Sequence, residues 1–201
     1  MSKNGTKSDQ HKDKILNISR EMFASRGYEA TTTRMINQAA GTAEGLMYYY
    51  FPHGKHEILD TIVYQGIINR VNQLQFTFDD CLTKEALEQR LMGIFESIWQ
   101  AFQEEENYQS FMITIHERML LSDDQAGWLL QVLDGIVGQI ATHLKTAPTL
   151  QPMPESQSRP LARVIVSIFQ KVIYDELLIK NNRQLTEQMK NQIRPELSVV
   201  L

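Results

Sequence analysis

The sequence has one cysteine, no leader-like N-terminus and no long apolar run, and each absence excludes a class of protein. Cys81 alone cannot form an internal disulfide, which excludes disulfide-stabilised secreted scaffolds and favours a reducing compartment. The N-terminal stretch MSKNGTKSDQHKDK is polar and lacks the apolar core of a signal peptide. Polar side chains interrupt the apolar stretch 127–144 before it reaches the length of a membrane span. We therefore expect a cytoplasmic protein without a membrane partner.

The residue patterns that support catalysis are also missing. The sequence contains no glycine-rich phosphate loop and no nucleophile elbow. A di-iron helical bundle needs Glu-x-x-His pairs, and none occurs. The histidines do not stand at metal-ligand spacing from acids or from Cys81; they are His11, His53, His56, His116 and His143. We predict no enzyme, no metal site and no cofactor, with a helical enzyme kept as an alternative.

The chain has little excess positive charge anywhere. Its net charge is −4 and its isoelectric point is about 5.7, which excludes a general nucleic-acid coating protein. Residues 1–60 nevertheless differ from the rest, because they carry eight Lys and Arg against seven Asp and Glu. This balance is compatible with a small nucleic-acid reader that uses a few well-placed cations.

Apolar residues recur at helical spacing along almost the whole chain, and no strand pattern or internal repeat is present. The spacing predicts an all-α protein with about nine helices. The predicted helices cover residues 12–26, 31–40, 43–50, 55–74, 84–106, 108–121, 122–146, 161–180 and 184–193. A loop is predicted where prolines cluster, at Pro148, Pro152, Pro154 and Pro160.

Residues 31–59 contain two short helical patterns on either side of Gly41-Thr42. The threonines at 31–33 can cap the first helix, and the same helix start can face a phosphate. Thr42 is a predicted N-cap of the second helix. Gly45 weakens that helix and is favoured where another surface must come close.

The second of these helices, residues 43–50, separates into two faces. The face predicted to pack inward consists of Ala43, Leu46, Met47 and Tyr50. The opposite face presents Glu44, Gly45, Tyr48 and Tyr49. Burial of the tyrosines in the core is the alternative, but helical geometry allows only one or two of the three to be buried. Lys55 then opens the next helix, where an external anion would relieve its unfavourable position on the helix dipole.

The text GYEATTTRMINQAAGTAEGLMYYYF, followed by Lys55 and Ile58-Leu59, resembles the DNA-binding domain of the TetR (tetracycline-repressor) family of bacterial regulators. The family pattern has a Gly-aromatic pair, a Thr-rich helix start, Ala-Gly, Leu-Tyr-x-His/Tyr-Phe and a lysine. The resemblance covers about the first 60 residues. The remaining chain is similar only in length and helical pattern.

The resemblance implies that Thr32, Thr33 and Lys55 contact phosphates. It also implies that Arg34 lies near base edges and that helix 43–50 enters the major groove. In that groove Glu44, Gly45 and Tyr49 would lie closest to the bases, with Tyr48 and Tyr50 on the backbone. The predicted DNA interface is Thr32, Thr33, Arg34, Thr42, Glu44, Gly45, Tyr48, Tyr49, Tyr50 and Lys55.

Three positions depart from the family pattern. Position 44 is often basic or neutral in the family, whereas Glu44 can accept from cytosine N4 but repels phosphates. Tyr50 replaces the more common histidine. The turn Pro52-His53-Gly54 places Lys55 one residue later than in the most common form.

The C-terminal part has two features of its own. A set of aromatic and polar residues predicts a ligand cavity, with an ordinary aromatic core as the alternative. These residues are Trp99, Phe102, Tyr108, Phe111, Met112, His116 and Trp128. The apolar residues of helix 161–180 extend over more than the one face that packs inside a monomer, which favours additional packing on a partner subunit. Burial inside the monomer is the alternative.

We therefore predict a helix-turn-helix DNA-binding domain over residues 1–55 and a helical ligand-binding and dimerisation domain over residues 56–201. By resemblance, the protein is expected to be a repressor that binds a palindromic operator as a homodimer through helices in the range 161–193. An unidentified small-molecule inducer would release it from DNA. A DNA-binding protein without a ligand remains an alternative.

Overall fold

A computed structural model describes residues 7–71, 76–120, 123–150 and 152–201. Within these ranges the chain forms nine α-helices, one 3-10 turn at Arg118–Leu120 and one π-helical turn at Tyr174–Ile179, and no strand. The α-helices are α1 Lys7–Arg26, α2 Thr33–Ala40, α3 Glu44–Tyr50, α4 Lys55–Val71, α5 Lys84–Ala101, α6 Glu105–His116, α7 Asp123–Leu144, α8 Glu155–Ile173 and α9 Glu187–Val200. The all-α prediction is confirmed. Within the described residues, no helix combines the length and apolarity that crossing a membrane requires.

The helices form two compact units. The first unit contains the described residues of Met1–Asn69 and Glu105–Trp128, and the second those of Arg70–Glu104 and Leu129–Leu201. The first unit thus adds α6 to the N-terminal helices. The functional boundary near residue 55 stays a prediction, because compactness does not test which residues bind DNA.

In the first unit, α1 packs against α2, α3 and α6. Its buried face consists of Ile15, Leu16, Ser19, Arg20 and Phe23, which fall on one side of a helix at about 100° per residue. Apolar residues of the predicted helix 12–26 recur at helical spacing at Ile15, Ile18, Met22 and Phe23. This stripe marks the buried face only in part, since Ile15 and Phe23 are buried whereas Ile18 and Met22 are half-buried. Arg20 is a charged residue on this buried face, which apolar spacing does not reveal.

The helix ends of the first unit follow local rules. Gly27 ends α1 with φ of 84°, and Gly41 ends α2 with φ of 63°, both in the left-handed region that favours glycine. Thr32 is the N-cap of α2, and its hydroxyl accepts a hydrogen bond from the Met35 N–H at 3.2 Å. The predicted last residues of helices 12–26 and 31–40, and a cap among the threonines at 31–33, are confirmed.

The connection between α2 and α3 differs from the prediction. Ala43 stands at the N-cap of α3 and makes no side-chain cap. Thr42 instead donates its hydroxyl to Asn37 Oδ1 at 3.0 Å. Helical spacing alone predicts that Ala39 faces the core and Asn37 faces outward. In the structure Asn37 is buried and Ala39 is exposed, so this prediction is wrong. Thr42 thereby gives the amide oxygen of the buried Asn37 a hydrogen-bond partner.

The second unit is built around aromatic side chains of α5 and α8. Phe95 packs against Trp99 and Phe169, with ring centroids 5.9 and 5.4 Å apart. Helix α9 packs against both α5 and α8. The indole N–H of Trp99 donates to the Arg183 carbonyl at 3.1 Å, and the Arg183 guanidinium donates to the Phe102 carbonyl at 3.1 Å. The segment before α9 is thereby fixed to the end of α5.

Three predicted helix bounds in this part of the chain are wrong. The predicted helix 84–106 is interrupted at residues 102–104, between α5 and α6. Helix α8 begins at Glu155, so Pro160 lies inside it instead of in the preceding loop. Pro160 cannot donate to the carbonyl of Ser156 one turn earlier, but both residues are exposed, so water can satisfy that carbonyl. The last helix extends to Val200 instead of ending near residue 193.

Candidate nucleic-acid interface

Helix α3 is anchored by one buried residue and presents the rest of its surface outward. Met47 is fully buried, whereas Glu44 and Gly45 are exposed and Tyr49 is 75% exposed. The predicted outer face is thus the exposed one. On the predicted inner face, Ala43 is exposed because it precedes the helix.

The three tyrosines of α3 have different environments. Tyr48 is 43% exposed, and its ring lies against the turn that follows the helix. A Cβ atom at Gly54 would stand 3.2 Å from Tyr48 Cε1, so this glycine provides the space for the ring as well as φ of 63°. Tyr50 is half-buried and meets Tyr49 edge-on, with ring centroids 5.1 Å apart. Tyr49 is therefore the tyrosine most available to an external surface.

Helix α2 packs against α3, and polar residues lie at its N-terminus. Thr32 and Arg34 are exposed, and Thr33 is half-buried. Thr42 is half-buried, with its hydroxyl bonded to Asn37. Helices α2 and α3 thus form two short helices joined by Gly41, Thr42 and Ala43, the arrangement of a helix-turn-helix.

Lys55 is engaged within the protein. Its Nζ donates to the Tyr28 carbonyl at 2.8 Å and lies 3.9 Å from the centre of the Tyr28 ring. Burial raises the pKa of the Tyr28 hydroxyl, and the carboxylates of Glu29, Asp60 and Glu117 raise it further. An ammonium group has three protons, so the contact with one carbonyl leaves it able to meet a phosphate.

The structure adds a cation that the sequence patterns did not single out. The ammonium of Lys12 stands 5.7 Å from the centre of the buried Phe51 ring, directly after α3. Its side chain is exposed. The only sequence signal is that Lys12 precedes the buried Ile15 by three residues, which places both on neighbouring parts of α1.

Two acids from the α6 segment hold α1 and the turn after it. Glu106 Oε1 accepts from Arg20 Nη1 at 2.5 Å, and Glu117 Oε1 accepts from the Tyr28 N–H at 3.0 Å. Both contacts join residues more than 80 positions apart. The orientation of the N-terminal helices is therefore linked to α6 and to the residue that follows it.

The predicted ligand-pocket residues have different environments and belong to two different units. Trp99 and Phe102 are buried in the second unit. In the first unit Tyr108, Phe111 and Met112 are half-buried, and His116 is exposed. The side chain of Trp128 lies outside the described residues. Neither of two cavities, one in each unit, is lined by members of this set. The ligand site stays a prediction.

We searched the described residues for side chains that could bind a metal ion. Within those residues, no group of three or more His, Cys, Asp and Glu side chains is arranged to hold a metal ion.

Comparison with known families gives a match in the N-terminal part of the chain. Residues 15–62 match the family model described as bacterial regulatory proteins, tetR family. This range contains α2 and α3 complete, most of α1 and the beginning of α4. It includes every residue of the predicted DNA interface.

Two curated relatives match over similar lengths. The HTH-type transcriptional regulator YxaF of Bacillus subtilis is 33% identical over 64 residues, which are 31% of this chain and 34% of that protein. The HTH-type transcriptional regulator QacR of Staphylococcus aureus is 37% identical over 51 residues, or 25% and 27% of the two chains. The match thus spans about a third or less of either relative.

A solved structure extends the likeness to the whole fold. A bacterial regulatory protein of the tetR family from Rhodococcus RHA1 superposes with a TM-score of 0.67 and covers 98% of both chains. The two sequences are 18% identical, so this likeness concerns the fold alone.

The contacts of Lys55 predict that its replacement lowers the stability of the protein more than replacement of Lys84, which also begins a helix. Lys55→Ala removes the hydrogen bond and the ring contact with Tyr28, and should lower the free energy of unfolding by about 1–3 kcal/mol. Lys84→Ala, at the exposed first position of α5, is the matched control, because both lysines share the same unfavourable dipole position. Urea unfolding of the two variants measures the difference. Equal stabilities would contradict an anchoring role for Lys55.

Proposed function

Because the chain belongs to the tetR family of bacterial regulatory proteins, we propose that it regulates transcription by inserting α3 into the major groove of operator DNA. The family consists of DNA-binding regulators, which agrees with the prediction that the chain is not an enzyme. The observation that carries the proposal is the exposed face of α3, where Tyr49 stands out from the protein beside a glycine.

The exposed face of α3 has the composition of a surface that reads bases. A major groove about 12 Å wide admits a helix, and the missing side chain at Gly45 allows close approach. Tyr49 supplies an apolar ring with a polar hydroxyl, and the Glu44 carboxylate can accept from cytosine N4. Arg34 is exposed in the first turn of α2, and we assign it to contacts at base edges next to α3.

The remaining interface residues are assigned to the DNA backbone. The N-terminus of α2 has unpaired N–H groups that favour an anion, with Thr32 and Thr33 at its start. Tyr48, Tyr50 and Thr42 flank the reading face, and Lys55 offers its remaining ammonium protons. These contacts would fix the position of α3 without reading sequence.

We assign the second unit to dimerisation. Helix α8 has an apolar face that its own unit does not cover, since Val164 is 44% exposed and Leu161 and Ile168 are half-buried. Farther along the chain Tyr174 and Ile179 are also exposed. A two-fold partner packed through α8 and α9 would cover this surface and present two copies of α3 to a palindromic operator.

We further propose that a small-molecule effector weakens operator binding, so that the protein acts as a repressor. Coupling requires that the effector favours a conformation in which the two copies of α3 do not fit two successive major grooves. The contacts of Glu106 with Arg20 and of Glu117 with Tyr28 offer a route, because any displacement of α6 acts on the C-terminal half of α1 and on the turn after it. Among the predicted pocket residues, those of α6, Tyr108, Phe111, Met112 and His116, are the proposed effector contacts.

Tyr49→Ala should weaken specific operator binding at least about tenfold, because base contacts contribute about 1–3 kcal/mol in each half-site. The fold should remain intact, since the side chain is mostly exposed. Tyr64→Ala, an exposed tyrosine on α4, serves as the control. Fluorescence anisotropy with operator DNA, selected from random sequence, measures both affinities. Unchanged affinity of Tyr49→Ala would remove α3 from the groove.

Gly45→Ala should separate stability from DNA binding. A methyl group at Gly45 or at Gly93 of α5 meets no atom within 4 Å, so each substitution should stabilise its helix by about 1 kcal/mol. Only Gly45→Ala should weaken operator binding, because its methyl would stand between α3 and the groove. Thermal unfolding and anisotropy of the two variants measure the effects. Equal operator affinities would show that close approach at Gly45 is not needed.

Val164→Glu should convert the homodimer to monomers by placing a charge in the apolar face of α8. Leu82→Glu is the control, because Leu82 is 74% exposed and lies outside α8 and α9. Sedimentation velocity at micromolar concentration measures the assembly state. A native chain that sediments as a monomer, or a Val164→Glu variant that remains dimeric, would contradict the proposed interface.

A further inference from the structure

Lys12 lies on the side of α1 that faces the rest of the first unit, one turn before the buried residues begin. At about 100° per residue, it shares that side with Leu16, Ser19 and Phe23, which are all buried. Lys12 itself is exposed. Helix α1 packs against α2, α3 and α6, so its buried side is directed toward them. Lys12 therefore stands at the margin of the packed surface, next to the neighbouring helices.

The ammonium group of Lys12 reaches the C-terminal end of α3. It stands 5.7 Å from the centre of the Phe51 ring. Phe51 is buried and directly follows Tyr50, the last residue of α3. An aromatic ring attracts a cation but offers it no conventional hydrogen-bond acceptor. The ring contact thus places the ammonium beside α3 and leaves its three protons able to bind an anion.

A helix that occupies the major groove has phosphates along both of its sides. The groove is about 12 Å wide, and an α-helix with its side chains has a diameter of about 10–12 Å. The sugar-phosphate strands that border the groove therefore run close beside the helix. A cation at the edge of α3 is in position to meet one of these strands when the exposed face of α3 lies in the groove.

We propose that Lys12 is a further DNA contact and binds a backbone phosphate beside the C-terminal end of α3. The inference rests on the proposed function and adds α1 to it, because every contact assigned above lies between Thr32 and Lys55. Helix α1 also carries Arg20, which donates to Glu106 of α6. One helix therefore carries both a phosphate contact and the contact with α6, so a displacement of α6 acts directly on DNA binding.

Lys12→Gln and Lys14→Gln test the assignment as a matched pair. Both lysines are exposed on α1, and each substitution removes one positive charge per chain. Two residues of helix are about 200° of rotation, so Lys14 lies on the side of α1 opposite to Lys12. Fluorescence anisotropy measures affinity over a range of salt concentrations. The DNA is an operator selected from random sequence by the native protein, together with an unrelated duplex.

Lys12→Gln should weaken operator binding at least about tenfold at 0.1 M salt. It should lower the slope of log affinity against log salt by about two per dimer, because each lost phosphate contact contributes about 0.9. Binding to the unrelated duplex should weaken as well, since phosphate contacts do not read sequence. Lys14→Gln should keep the native slope, and Lys12→Arg, which preserves the charge, should retain most of the native affinity.

The outcomes separate this inference from the proposed function. A native protein that selects no sequence would overturn the proposed function, and this inference with it. A native protein that binds its operator, with an unchanged slope in Lys12→Gln, would overturn the Lys12 contact alone. An equal loss of slope in Lys14→Gln would also overturn it, because the effect would then come from net charge. Circular dichroism of each variant checks that the helical fold is retained.

Discussion

The packing of the N-terminal helices depends on the contacts that Tyr28 makes with three other parts of the chain. Its N–H donates to Glu117, its carbonyl accepts from Lys55, and its ring packs on Phe23 with centroids 5.2 Å apart. Four parts of the chain meet there: the end of α1, the approach to α2, the start of α4 and the residue after α6. Gly27 makes the arrangement possible, because φ of 84° turns the chain directly after α1. Helix α3 packs against α1 and α2, both of which adjoin this junction, so the junction contributes to the orientation of α3.

This junction explains why α6 belongs to the same compact unit as the first three helices, although residues 51–104 of the chain separate them from it. Glu106 and Glu117 lie at the two ends of the α6 segment and contact α1 at Arg20 and the turn at Tyr28. The contact with Arg20 joins a buried guanidinium to an exposed carboxylate, so solvent and salt reach the pair from the Glu106 side only. A rigid connection of this kind transmits small displacements of α6 to α1 instead of absorbing them.

The features that sequence reasoning identified are those fixed within one or two helical turns. Gly27, Gly41 and Thr32 end or begin helices through backbone geometry, and the spacing of Met47 and Tyr49 decides which side of α3 is exposed. The features it missed depend on partners distant in sequence. From the sequence alone, Arg20 and Lys55 are expected to be surface cations. In the structure Arg20 pairs with Glu106, and Lys55 lies over the ring of Tyr28. Pro160 was predicted to lie in a loop, but it lies inside α8. Its turn is exposed, so water can replace the lost backbone hydrogen bond at little cost in free energy.

The near-neutral charge of the N-terminal part has a consequence for the proposed DNA complex. Few cations are available, so each phosphate contact must come from a residue that the fold already holds in place. Lys55 meets this requirement, because its bond to Tyr28 fixes the ammonium before any phosphate arrives and lowers the entropy lost on binding. The same bond ties the phosphate contact to the junction at Tyr28. In the proposed mechanism, an effector that disturbs this junction through Glu117 therefore weakens the phosphate contact and turns α3 at the same time.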